Sequence, residues 1–166
     1  MNAWGERKRI WNPRLLFGEG YPFGSRQRLC DVIADTGYLV ALLKREDEHH
    51  AWAEGLASQL TPPLLTCEAV LAEAAFHLKS TDPVLAMRRR GAVRIAFDCE
   101  SHLGVLADVA ARYADRHPDL ADLCLIRMSE LFPQHSVLTT DEAVFRVYRR
   151  NKREIIPIVC PPGRDR

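Results

Sequence analysis

The stretch VIADTGYLVALLK, residues 32–44, changes character at a single carboxylate. Val32 to Ala34 reads as a short strand that ends at Asp35. Gly37 permits a turn, and Tyr38 to Leu43 reads as a helix. A strand, an acidic residue and a helix in immediate succession are the start of a βα unit, and the fold depends on whether the unit repeats.

It does repeat. Glu46 to Leu60 has the pattern of a polar helix with Trp52 and Leu56 on one face, and Pro62 and Pro63 break it. Leu64 to Thr66 is the second strand, and Thr66 is placed to cap the helix CEAVLAEAAFHLK, residues 67–79. Thr81 or Asp82 caps a short helix that begins at Pro83. Val93 to Phe97 is the third strand, and Ser101 to Arg116 an amphipathic helix with Leu103, Leu106, Ala110 and Tyr113 near one face. Asp119 to Phe132 is a further helix, Val137 to Thr139 the fourth strand, Ala143 to Arg150 a helix, and Ile155 to Val159 the fifth strand. This alternation implies right-handed βαβ crossovers. The expected fold is a three-layer α/β/α sandwich around a five-stranded, mostly parallel sheet.

The chain has 166 residues, 47% hydrophobic and 27% charged, enough for one domain with a full core. Residues 1–30 hold six Lys or Arg and two Glu, a net of +4; since the whole chain carries +1, residues 31–166 sum to −3. A basic, irregular arm (1–30), in which Trp4 and Trp11 could anchor a partner or fold back, thus precedes an acidic domain (31–166). No apolar run reaches the roughly 20 residues of a membrane span, and no signal-peptide h-region opens the chain, so a cytoplasmic protein is expected. The five cysteines are scattered and odd in number, which suits reduced thiols better than a disulfide or zinc framework.

The chemistry lies in the acids. Asp35 and Asp141 follow strands, and in an open α/β sheet ligands bind beyond the carboxyl ends of the strands. Each also has an ordinary explanation as a helix cap. Glu73 lies among Val70, Leu71, Ala72, Ala74, Ala75 and Phe76, where an isolated buried carboxylate would be costly unless paired, protonated or metal-bound. Glu68, in the first turn of the same helix, suits the helix dipole. In HPDLADLCLIRMSE, residues 117–130, Asp119 suits the cap, while Asp122 lies one turn on and about 60° around the axis. If Asp35, Glu73, Asp122 and Asp141 converge, their repulsion calls for a proton or a cation, and oxygen-only ligands favour Mg²⁺ or Mn²⁺.

Four segments resemble the motifs of the PIN-domain ribonucleases: ADTGYLVALLKREDEHHAW with Asp35 and Thr36, TCEAVLAEAAFHL with Glu73, DLADLCLIRMSE with Asp122 and the accessory Asp119, and VLTTDEAVF with Thr139 and Asp141. The resemblance spans roughly residues 31–160 and is strongest to VapC-type toxins of toxin–antitoxin pairs. It implies a metal-dependent endoribonuclease with Asp35, Glu73, Asp122 and Asp141 as catalytic metal ligands, Asp119 as a further ligand, and Thr36 and Thr139 in support. It also implies a homodimer and a cognate antitoxin. The basic arm departs from the pattern, because these toxins start close to the first strand.

Arg146, Arg149, Arg150, Lys152 and Arg153 form a basic cluster after the fourth motif. They are either a solvated helix face or a hold on the RNA backbone. Arg88, Arg89, Arg90 and Arg94 are a second such run. His49 and His50 look like exposed helix residues, and His77, His102, His117 and His135 lack metal-ligand spacing. Two other enzyme classes share the architecture. A phosphoacceptor receiver, with Asp98 as acceptor, needs an acidic pair near the first strand. A haloacid-dehalogenase-type phosphatase needs an aspartate where Gly37 stands. A non-catalytic PIN-like RNA-binding or scaffold module is the remaining alternative.

Overall fold

The computed structural model describes residues 31–163. The N-terminal arm and the tail beyond Gly163 lie outside them. The strands are β1 (Val32–Ala34), β2 (Leu64–Thr66), β3 (Val93–Ile95), β4 (Ser136–Leu138), β5 (Arg149–Arg150), β6 (Glu154–Ile155) and β7 (Ile158–Val159). The helices are α1 (Thr36–Leu43), α2 (His50–Ala57), α3 (Glu68–Leu78), α4 (Asp82–Arg89), α5 (Leu103–Arg112), α6 (Leu120–Leu131) and α7 (Glu142–Phe145).

Five strands form one parallel sheet in the order β3-β2-β1-β4-β7. Its central strands are continuous apolar runs, as a sheet covered on both faces requires. Val32, Ile33 and Ala34 are buried, and they pair with Ser136, Val137 and Leu138 of β4. The chain steps outward from β1 through β2 to β3, then returns past β1 to β4. With right-handed crossovers the two directions of travel put helices on opposite faces. The expected α/β/α sandwich with five parallel strands is therefore the observed fold.

Several boundaries differ from the sequence expectation. Gly37 lies in the first turn of α1 rather than in a turn, because the chain there passes close to Thr140, and a Cβ on Gly37 would collide with the Thr140 hydroxyl. The polar helix over 46–60 is reduced to α2, since the Asp47 side chain accepts from the His49 amide in a turn that delays the helix. Thr66 does not cap α3; its hydroxyl donates to the Ala34 carbonyl (3.2 Å) and ties β2 to β1. The helix over 101–116 has short 3₁₀ turns at both ends.

The largest difference follows β4. The helix over 143–150 stops at Phe145, and Arg149 and Arg150 pair antiparallel with Glu154 and Ile155. Asn151 and Lys152, with φ of 48° and 70°, make the turn between them. The Arg149 guanidinium donates to the carbonyls of Arg146, Val147 and Tyr148, so these oxygens are satisfied without a further helical turn. Ile155 consequently belongs to this hairpin, and the fifth parallel strand is only Ile158–Val159.

Candidate active site

Strand order reverses between β1 and β4, and the carboxyl ends of these strands are where a parallel sheet opens a crevice. Asp35 and Thr139 are the first residues beyond those ends. The ladder continues through them, with the Asp35 amide on the Leu138 carbonyl (3.0 Å) and the Thr139 amide on the Val159 carbonyl (3.1 Å). Asp35 caps α1 by accepting from the Thr36 amide (2.6 Å), and its other oxygen accepts from the Thr139 hydroxyl (2.7 Å). The same hydroxyl accepts from the Asp141 amide (2.9 Å), so Thr139 fixes two acids at once. Asp141 in turn caps α7 through the Val144 amide (3.1 Å).

The other acids come from helices. Glu73 is not the isolated buried carboxylate expected from the sequence. Its side chain is one-third exposed (33%), it accepts from the Thr36 hydroxyl (2.7 Å), and His77, one turn on, lies 3.7 Å away. On the same helix Glu68, Ala72 and Phe76 face solvent, with Phe76 78% exposed. Asp119 caps α6 through the Asp122 amide (2.8 Å), and Asp122 accepts from the Tyr148 hydroxyl (2.9 Å). The common direction expected for the two aspartates is thus observed.

Asp35, Glu73, Asp119, Asp122 and Asp141 line a single open cleft of about 460 Å³. Glu68 is exposed and does not line it. Asp98, the acceptor of the receiver reading, also lies elsewhere and instead holds the turn at Glu100 and Ser101.

A comparison of the sequence with family models matches residues 32–151 to the PIN domain. The chain belongs to the PIN domain family. PIN domains are generally metal-dependent nucleases that act on RNA with divalent ions such as Mg²⁺. No curated protein matches the chain.

The electrostatics of this PIN domain fit such an ion. Burial, and to a lesser degree the charge of Glu73, push the Asp35 carboxyl up to about 6, against the bonds from Thr139 and Thr36. Burial and the neighbouring Asp119 push Asp122 up to about 7, against the bond from Tyr148. Carboxylates that raise one another in this way favour a proton or a cation between them. Among the described residues no three acids, histidines or cysteines are gathered into a ready-made metal cage. Each acid is instead turned toward a hydroxyl or amide partner. The donor set, made of carboxylate oxygens, still suits a hard divalent cation.

The sequence did not reveal every residue of the cleft. Asp47, Glu48, His49, His77 and Thr140 also line it. His77 was accessible to helical spacing, being four residues after Glu73. His49 and His50, expected to be exposed, are half-buried, and the His50 ring bonds the Ala41 carbonyl (2.7 Å). Tyr148 lies far along the chain from Asp122, and no local pattern joins them. None of Arg146, Arg149, Arg150, Lys152 and Arg153 lines the cleft. Arg146 pairs with Glu142 on α7, and Arg150 reaches Glu154 and the Pro133 carbonyl.

Proposed function

We propose that this PIN domain is a metal-dependent endoribonuclease hydrolysing RNA phosphodiester bonds, and the toxin of a type II toxin–antitoxin pair. The observation that carries the enzymatic reading is the shared cleft of Asp35, Glu73, Asp119, Asp122 and Asp141 at the switch point of the sheet. Asp35, Glu73, Asp122 and Asp141 would hold Mg²⁺ or Mn²⁺, with Asp119 as a further ligand. When bound, such an ion lowers the pKa of a water and neutralises charge on the phosphoryl group. Thr139 and Thr36 orient Asp35 and Glu73, and Tyr148 orients Asp122. The resemblance of the four acidic motifs to those of VapC-type toxins supports the toxin reading, and it implies a homodimer and an antitoxin partner.

No Lys or Arg lines the cleft among the described residues. A polyanion meets net repulsion there unless a cation is present, which favours catalysis over a metal-free RNA-binding scaffold. Single-stranded RNA incubated with the full chain and Mn²⁺ should be cleaved, and EDTA should abolish cleavage. RNA binding that is tight in EDTA, with no cleavage in either metal, would instead establish the scaffold.

A further inference from the structure

Two of the thiols expected to be scattered meet in the folded chain. Cys99 lies beyond β3, and Cys124 is on α6. The sulfurs of Cys99 and Cys124 are 3.3 Å apart, within hydrogen-bond range. Cys67 and Cys124 are fully buried, whereas Cys99 is half-buried and open to a small solute. Cys124 is two residues from Asp122, about 200° around the helix, so the thiols sit on the core side of α6, away from the acidic cleft.

We infer that Cys99 and Cys124 form an oxidisable pair, in which a hydroperoxide closes a Cys99–Cys124 disulfide. Hydrogen peroxide transfers an oxygen to the Cys99 sulfur, its O–O bond breaks, and a sulfenic acid and one water result. The Cys124 sulfur then attacks the Cys99 sulfur, forming S–S and breaking S–O. The Cys124 proton goes to the departing hydroxide, which leaves as a second water. Two thiols are oxidised by two electrons, and the peroxide is reduced to water. The sulfurs need to close from 3.3 Å to about 2.0 Å, a shift that the irregular segment carrying Cys99 can supply.

The test uses the full chain with Cys30→Ser and Cys160→Ser as background. Peroxide should remove the mass of two hydrogens, dithiothreitol should restore it, and peptide mapping should join the Cys99 and Cys124 peptides. Cys99→Ser should abolish the change. Cys67→Ser keeps a good helix-capping residue before α3, so the fold is retained, and the disulfide should still close, because the pair is Cys99 and Cys124. Oxygen gain without loss of two hydrogens, or a cross-link through Cys67, overturns the assignment of the pair.

Discussion

At the residue scale, most side chains of the cleft serve two purposes. Asp35, Asp119 and Asp141 each cap a helix, and the cap holds the carboxylate at the cleft. The structural and the functional explanation of these aspartates are therefore compatible, because the cap is the device that positions the acid. Asp122 is different, since its amide, not its carboxylate, takes part in the cap. Asp122→Asn removes one charge from a repelling set, so the metal-free protein should melt slightly higher. The same change should abolish Mn²⁺-induced stabilisation and lower RNA cleavage by orders of magnitude. Glu68→Gln, outside the cleft, should keep most of both. Equal losses in the two variants would assign the wrong carboxylate. Tyr148→Phe removes only the hydroxyl that orients Asp122. It should cost about 10–100-fold in metal affinity or activity, read by calorimetric titration with Mn²⁺, while secondary structure by circular dichroism stays unchanged.

At the element scale, the approach of α1 to the chain after β4 constrains the site. A Cβ at Gly37 would displace the Thr140 hydroxyl, which occupies its space. Gly37→Ala should lower unfolding free energy by about 1–3 kcal/mol, measured by urea denaturation. Gly37→Ala combined with Thr140→Ala should recover most of the loss. An unchanged single variant would mean that Thr140 yields freely. The same elements explain what could be read from the sequence. β1, β2 and α6 were legible because their apolar patterns are continuous and their caps are local. The segment after Phe145 was not, because the pattern of Val147 and Tyr148 suits a helix face as well as it suits their real places. Tyr148 is buried against Tyr113 and Phe145 and reaches Asp122, and these are partners set by tertiary packing. The acids at strand ends could be placed by position alone. Glu73 could be singled out, yet for the wrong reason: it is held by a bond from Thr36 rather than by burial.

At the scale of the whole molecule, folding concentrates negative charge. Seven carboxylates line the cleft, counting Asp47 and Glu48 with the five candidate ligands, and the fold holds them there. The consequence for stability has a definite sign. In the unfolded chain Asp35 and Asp122 titrate near their ordinary value of 3.8, whereas in the folded chain they titrate at about 6 and about 7. Between these limits the folded state binds more protons than the unfolded one, so stability falls as pH rises. This contribution is fully present below about pH 4 and is lost through pH 6 to 7. The metal-free protein should therefore melt several degrees lower at pH 8 than at pH 5. Asp35→Asn combined with Asp122→Asn should flatten that dependence. A cation competes with protons for the same oxygens, so saturating Mn²⁺ should reverse the slope and make its stabilisation largest above pH 7. Differential scanning fluorimetry across pH 5 to 8, with EDTA and with Mn²⁺, distinguishes these cases. A wild-type profile in EDTA that is flat, or that rises with pH, would show that the two aspartates are ionised without strain in the folded chain. The cleft would then lack the electrostatic demand for a metal.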